Sequence, residues 1–321
     1  MSADPSGSPV ARQRPLKVGL FLPAGETMLD GGTPRWADIQ AMARLAEDAG
    51  FDSLWFPDHL LMKRSDGTIG GWDCWSLLAA VAAVTRKVEL GPLVTCVGFR
   101  NPALLAKIAD TIDEISDGRL ILGLGAGWHE PEFRAFGYPF DHRYGRFEEA
   151  VQIIHGLLRE GHVDFAGKYH QARECELRPR GPHPQGPPIM IGTRGPRMLR
   201  LMARYADSWN SDWILPEALP PLLASVDDAC AEEGRDPATL ERTASVRIDL
   251  PGVERHPLGR GQTSGSTEEL ATLLRTYAAA GIAHLVVWLA PNTPAGVEAF
   301  APVLAHLERE PRPAHRPGGV R

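Results

Sequence analysis

The sequence predicts a single closed (β/α)8 barrel of the TIM type, an α/β fold, and three observations predict it. Strand-like and helix-like stretches alternate along the chain, the mark of a parallel sheet with crossover helices. They amount to one barrel's worth of strand–helix units, where a doubly wound open sheet usually needs fewer. The strand runs are continuously apolar, as strands covered on both faces should be. A chain of 321 residues has the length for such a barrel in one domain.

Leu16–Leu22 reads as the first strand, stopped by Pro23. Trp36, Ile39, Ala43 and Ala46 share one face of the helix after it, which Gly50 closes. Asp52–Phe56 is the second strand, stopped by Pro57, with a helix over Asp73–Thr85. Lys87–Thr95 is the third. Asn101 and Pro102 open its helix, striped by Leu104, Ile108, Ile112 and Ile115. Arg119–Leu124 is the fourth, and Phe147, Val151, Ile154 and Leu158 line helix four. Pro188–Ile191 is the fifth, with a short helix over Pro196–Tyr205. Asp207–Asn210 is the sixth, leading to a helix from near Pro220 to Glu233. Ala244–Ile248 is the seventh, with Leu270, Leu273, Leu274 and Tyr277 on its helix. His284–Leu289 is the eighth, followed by a helix marked by Val297, Phe300, Leu304 and Leu307.

Two connections exceed simple loops: Gly161–Pro187 after helix four and Pro251–Ser266 after strand seven. Residues 1–15 and the Pro/Arg-rich stretch 311–321 read as disordered tails, leaving 16–310 as one domain. The composition, 43% hydrophobic and 23% charged, is that of a soluble globular protein, and a net charge of −6 argues against nucleic-acid or anionic-membrane partners. Cys74, Cys96, Cys175 and Cys230 are scattered with no CxxC pair, so neither zinc nor disulfides are expected. Free thiols, no signal peptide and no apolar run of about 18 residues together predict a cytoplasmic protein whose partner is a small-molecule substrate.

Barrel active sites lie at the C-terminal strand ends. There the sequence places Asp58 and His59, Thr95 and Cys96, Gly125 to Glu130, Gly192 to Gly195, and Trp209, Asn210 and Trp213. Glycines, aromatics and a few titratable groups on one rim suit a flat aromatic cofactor with a phosphate. Gly123-Leu-Gly125-Ala-Gly127 is GxGxG, not the dinucleotide GxGxxG, and it reads equally well as small residues where a strand rim meets a ligand or neighbouring backbone. Gly192-Thr193-Arg194-Gly195 before a helix starting at Pro196 is the better phosphate seat, offering amides, a hydroxyl, a guanidinium and a helix N-terminus. Asp58 and His59 form the candidate acid/base pair, against the plainer reading of a capping Asp and a packed His. His129-Glu130 is followed by Pro131, not an HExxH helix, so no metal site is expected. Trp128, Phe136, Tyr169, Trp209 and Trp213 are candidate walls for a partly apolar substrate.

Several segments carry a resemblance. They are Gly50–His59 (GFDSLWFPDH), Phe99–Lys107 (FRNPALLAK), Asp117–Glu130 (DGRLILGLGAGWHE) with its continuation to Gly137, Pro188–Gly192 (PIMIG) and Arg204–Asn210 (RYADSWN). Through them the chain resembles the luciferase-like monooxygenases, in particular the subgroup that uses the deazaflavin F420. The resemblance implies a bacterial-luciferase-like barrel and an oxidoreductase acting on a small organic substrate with reduced F420 or FMN. The choice between these cofactors, hence between hydride transfer and oxygen insertion, stays open, with F420 favoured by the subgroup. It implies that the ring rests against Asp58, Leu93, Val94, Thr95, Gly125, Ala126, Gly127 and Trp128, with the phosphate near Gly192 and Thr193. It implies that Asp58 and His59 hold the ring and move the substrate proton, that Glu130 is the acidic residue after the fourth-strand glycines, and that a non-proline cis peptide falls near Leu93–Val94. It further implies a lid at Pro251–Ser266, where four glycines suit an opening segment, and a dimer. Two other functions remain open: a catalytically silent cofactor-binding protein on the same barrel, and an NAD(P)H-dependent barrel reductase.

Overall fold

The computed structural model describes residues 14–65, 67–250 and 261–308. The barrel strands are β1 (Lys17–Phe21), β2 (Ser53–Phe56), β3 (Glu89–Pro92), β4 (Leu122–Gly125), β5 (Ile189–Gly192), β6 (Ser208–Ser211), β7 (Glu241–Asp249) and β8 (His284–Ala290). They lie parallel in the order β3-β2-β1-β8-β7-β6-β5-β4. Thr95–Cys96 continues β3 and pairs with Leu124 and Gly125, while a bridge from Leu90 to Leu120 ties the same two strands lower down. These contacts close the ring.

Among the described residues nine helices surround the strands: α1 (Trp36–Ala49), α2 (Cys74–Val84), α3 (Pro102–Ser116), α4 (Glu130–Phe136), α5 (Arg143–Glu160), α6 (Pro196–Tyr205), α7 (Leu219–Glu232), α8 (Thr267–Ala279) and α9 (Pro294–Glu308). Their limits follow local chemistry. Gly50 closes α1 at φ 100°, the side chain of Asn101 caps two amides of α3, and Ser266 with Glu269 forms a reciprocal capping box on α8. The short α4 is an addition to the expected pattern. Pro131, read in the sequence as a breaker, sits in its first turn, where a missing N–H costs nothing.

Alternation along each strand sorts the side chains. On β7, Ala244, Val246 and Ile248 join the main core under the helices, which leaves Thr243, Ser245, Arg247 and Asp249 facing into the barrel. The interior holds Phe21, Trp55, Met190 and Val286, with Leu93, Val94, Ile121 and Trp288 packed on them. Trp55 fills the centre, and the glycines of neighbouring strands make the room. A Cβ on Gly19 would lie 2.6 Å from its indole nitrogen, and one on Gly91 2.8 Å from its ring. At the floor, Trp55 Nε1 donates to Ser53 Oγ (2.6 Å), which meets His284 Nε2 (2.7 Å). Burial drives the His284 pKa down to about 3, so the ring sits neutral in this network.

Some expectations change. The connection Gly161–Pro187 contains a hairpin, His162–Ala166 paired with Gln171–Glu176, and a second hairpin, Leu61–Arg64 with Gly67–Gly70, follows β2. Residues 251–260 of the expected lid lie outside the described residues. In the remainder of that segment, Gln262–Ser264 runs parallel to β7. Arg14, placed by sequence in the leading tail, is buried and bonds the Gly50 carbonyl and Asp52. The expected tail 311–321 lies outside the described residues. Among the described residues, no helix is long and apolar enough to cross a membrane, and no group of His, Cys, Asp and Glu could hold a metal ion. The four cysteines are free.

Candidate active site at the barrel mouth

The peptide bond Leu93–Val94 is cis, where the sequence resemblance places it. Val94 packs across the tips of β4 and β5. Cβ atoms built on Gly123, Gly125 and Gly192 would lie 3.2, 2.6 and 3.3 Å from its methyl groups, and the one on Gly123 would also lie 2.2 Å from the Pro92 carbonyl oxygen. The Gly123-x-Gly125 pattern therefore makes room for a neighbouring strand, the packing reading of the two open in the sequence. Gly127 has φ +74°, and its Cβ would meet Cys96 Sγ at 2.5 Å and the Phe133 ring at 2.6 Å. Ala126, between these glycines, is half-buried against the main core. Thr95, just past the cis bond, is fully buried, and its Oγ1 has no hydrogen-bond partner. Burial pushes the thiol of Cys96 up to about 12, so it stays protonated and is no nucleophile.

Asp58 and His59 follow β2 but do not form a pair. Both carboxylate oxygens of Asp58 accept from Arg100, at 2.7 and 2.9 Å, and one also accepts from the Cys96 amide at 3.0 Å. This bidentate clamp ties β2 to the turn after β3. Burial pushes the Asp58 carboxyl above its usual value, against the pull of Arg100 and the Cys96 amide. The carboxylate of His59 is instead Glu132, on α4. His59 Nδ1 lies 3.1 Å from Glu132 Oε2, while Oε1 accepts the amides of Leu60 and Leu61. Glu132 is buried, whereas His59 is partly exposed and its Nε2 has no protein partner among the described residues.

Glu130, the acidic residue expected here, makes a different contact. Glu130 is half-exposed and pairs with Arg134 one turn along α4, at 2.7 Å. The two carboxylates are separated by Pro131, and only the second points back to the rim. Trp128 is 62% exposed and stands edge-on to His59, with ring centroids 5.6 Å apart. The neighbouring His129 takes the Lys63 amide on its Nε2 and so braces the hairpin after β2. Phe136 is exposed at the end of α4.

At β5 the expected phosphate turn is differently built. Trp209 is fully buried on the outer side of β6, in the helix-covered core, and its Nε1 donates to the Thr193 carbonyl at 2.7 Å. It supports the turn and is not a pocket wall. Arg194 bends to Ser211 Oγ (2.9 Å) and the Asp212 carbonyl, away from the helix end. Arg197, in the first turn of α6, takes the outward place and lies 3.8 Å from the centroid of the Tyr144 ring. A concavity of about 510 Å³ opens there, lined among others by Arg143, Tyr144, Gly145, Tyr169 and Arg197. Arg143 links it to the rim by donating to the Gly127 carbonyl at 2.7 Å. Tyr169 thus belongs to this basic side chamber, where Arg146 and Lys168 also lie over its ring.

The remaining wall of the mouth is aromatic. Phe21 stacks on Trp288 at 5.0 Å, and Trp213 packs on Trp288 at 5.2 Å. The sequence reading named His59, Val94 and Trp213, which the structure places around the mouth, and noted Arg100 after strand three, but did not single out Glu132, Arg143 or Arg197. Their partners come from other strands, and spacing along one chain carries no sign of them.

The model of the luciferase-like monooxygenase family matches residues 16–248. The chain is 32% identical to 5,10-methylenetetrahydromethanopterin reductase of Archaeoglobus fulgidus over 67% of its own length and 61% of that protein. It is also 32% identical to F420-dependent glucose-6-phosphate dehydrogenase of Amycolatopsis mediterranei, over 66% of this chain and 64% of that one. The same identity holds for pyrimidine monooxygenase RutA of Methylobacterium radiotolerans, over 73% and 65%. The chain thus spans between 61% and 65% of the length of these relatives. Among solved structures, an F420-dependent secondary alcohol dehydrogenase in complex with an F420-acetone adduct superposes with a TM-score of 0.78 at 21% identity, covering 92% of this chain and 99% of that one. The tetrahydromethanopterin reductase of Methanopyrus kandleri gives 0.74 at 19% identity, over 90% and 97%. These likenesses show the barrel fold.

Proposed function

Because the chain belongs to the luciferase-like monooxygenase family, we propose that it is an oxidoreductase acting on a small organic substrate with a flavin-type cofactor bound at the barrel mouth. The observation that carries this reading is the His59–Glu132 pair at the barrel rim, an imidazole oriented by a buried carboxylate and standing beside Trp128. F420 is the cofactor we favour, with FMN second, since one of the three relatives named above, the glucose-6-phosphate dehydrogenase, is F420-dependent by name.

The residues fit such a group. The missing Cβ atoms of Gly123, Gly125 and Gly192 let the Val94 side chain settle against the tips of β4 and β5, and a ring would rest on its outer face. The hydroxyl of Thr95, next in sequence to Val94, is buried with no hydrogen-bond partner among the described residues. The chamber with Arg143, Arg197, Tyr144 and Tyr169 supplies cations and hydroxyls for a phosphate. The first turn of α6 opens there behind Gly195, whose Cβ position meets nothing within 4 Å. When bound, F420 would supply hydride transfer and FMN would supply oxygen insertion.

The chain's own residues supply position and a proton route. Glu132 accepts the Nδ1 proton of His59, which fixes the tautomer and leaves Nε2 as the free base. That nitrogen takes a proton from a substrate hydroxyl or returns one, according to the direction of the reaction. Trp128 stands edge-on to the imidazole and covers one side of it. Asp58 and Arg100 hold the backbone on which His59 sits.

The test is a panel of alcohols offered with oxidised F420 under argon, carbonyl compounds offered with reduced F420 under argon, and heterocycles offered with reduced FMN in air. Product formed in step with cofactor oxidation or reduction supports the reading. Cofactor bound but inert towards every class, with His59→Ala indistinguishable from the parent, overturns it in favour of a silent binding protein.

A further inference from the structure

We propose that the substrate carries an anionic group, a carboxylate in the simplest case, and that Arg247 holds it on the side of the mouth opposite the cofactor seat. This deepens the reading above and rests on its placement of the active site at the mouth.

The argument begins with strand alternation. β7 turns Thr243, Ser245, Arg247 and Asp249 inward, so Arg247 puts a guanidinium on the inner face of the barrel near its C-terminal end. Its side chain is 41% exposed at the opening, above Ser245 and Thr243 on the same strand. In a ring of eight strands, β7 stands four strands from β3 in either direction. Arg247 therefore faces the Leu93–Val94 bond across the opening. A molecule lying between the two would touch the cofactor with one end and the guanidinium with the other.

The fork of Arg247 is free to bind. Its Nε lies 3.3 Å from Asp249 Oδ1, while Asp249 Oδ2 is taken by Gln262 Nε2 at 2.7 Å. Nη1 and Nη2 have no partner among the described residues. The contact through Nε orients the planar group and leaves the two terminal nitrogens, the edge that matches a carboxylate. Among the described residues Asp249 is the one carboxylate against it, and its second oxygen is already engaged.

The surface next to the fork is aromatic and deliberately held. The guanidinium carbon lies 6.0 Å from the Trp288 ring centroid, and Trp213 and Phe21 flank that ring. Trp213 has φ +49°, a left-handed backbone unusual for a bulky residue. Two contacts enforce it. Its amide donates to Ser245 Oγ at 3.2 Å, and Gly261 presses so close that a Cβ there would fall 2.1 Å from the Trp213 carbonyl carbon. An aromatic shelf beside an open guanidinium selects a flat or apolar acid over its neutral counterpart.

The experiment titrates purified protein with 2-naphthoate and with neutral 2-naphthamide, following tryptophan fluorescence, with and without saturating F420 or FMN. Naphthoate is expected to bind about tenfold more tightly than naphthamide, with the gap narrowing as salt is raised. Arg247→Gln is expected to remove the gap and leave naphthamide binding within roughly twofold of the parent, and Arg247→Lys to keep part of it. Equal binding of the two probes by the parent protein, no binding of naphthoate, or an unchanged gap in Arg247→Gln overturns the proposal. The parent comparison and its salt dependence decide the matter even if a variant misfolds. A protein that binds neither cofactor yet keeps the gap removes the functional reading and leaves the anion seat standing.

Discussion

His59 Nδ1 lies 3.1 Å from Glu132 Oε2, a contact between residues 73 positions apart that joins the end of β2 to α4. The carboxylate also takes the amides of Leu60 and Leu61, so one buried acid orients both the imidazole and its backbone. If His59 is the acid/base group, His59→Ala keeps cofactor affinity and lowers turnover roughly 10²–10⁴-fold. Glu132→Gln acts through His59. It is expected to lower kcat less than His59→Ala does, and to move the acidic limb of the pH–rate profile while cofactor affinity holds. A normal profile in Glu132→Gln would make the contact merely structural.

Asp58 has a different task. Its side chain is buried, with both oxygens clamped by Arg100. Arg100→Met strands that carboxylate in the interior, and breaking a buried pair in this way costs about 3–5 kcal/mol. The urea midpoint should fall accordingly, and a variant as stable as the parent would show that the clamp carries no weight.

The rim glycines separate by neighbour. Gly127→Ala asks for a left-handed backbone, at about 1–2 kcal/mol, and drives a methyl into Cys96 and Phe133. Gly195→Ala meets open space from an extended backbone at φ −80°. Thermal unfolding should show a clear loss for the first and almost none for the second.

Acid sensitivity follows from His284. Its folded pKa of about 3 lies below the ordinary value of 6.5, so the unfolded chain binds a proton that the folded chain refuses. The stabilising contribution is complete above pH 6.5 and is lost as the pH falls towards 3. Between pH 7 and pH 5 the loss is about 2 kcal/mol. His284→Gln, with no proton to gain, should flatten this part of the stability profile. An equally steep profile in that variant would place the effect elsewhere.

The barrel was legible because its strands are apolar runs closed by proline and its helices carry caps, all local signals. Strand positions and the cis bond at Leu93–Val94 agree with the reading of the sequence, the latter through family resemblance. The side-chain partnerships were not legible. Asp58 stands beside His59 in sequence, yet neighbouring residues after a strand diverge, and each found its partner on another element. Glu130 and Glu132 are equally acidic on paper, and only the turn of α4 decides which one faces the rim. Trp209 lay one residue out of phase with the barrel interior, and a period of two turns that into burial under the helices.

The central claim is that the mouth, with Val94 laid over Gly123, Gly125 and Gly192, seats a flavin-type ring. Fluorescence titration of the purified protein with F420 and with FMN tests it most directly. The account predicts saturable binding of at least one of them in the micromolar range or tighter, about −8 kcal/mol, weakened when the base of the seat is filled by Gly192→Val. Absence of saturable binding by both, or full affinity in a correctly folded Gly192→Val variant, would contradict it.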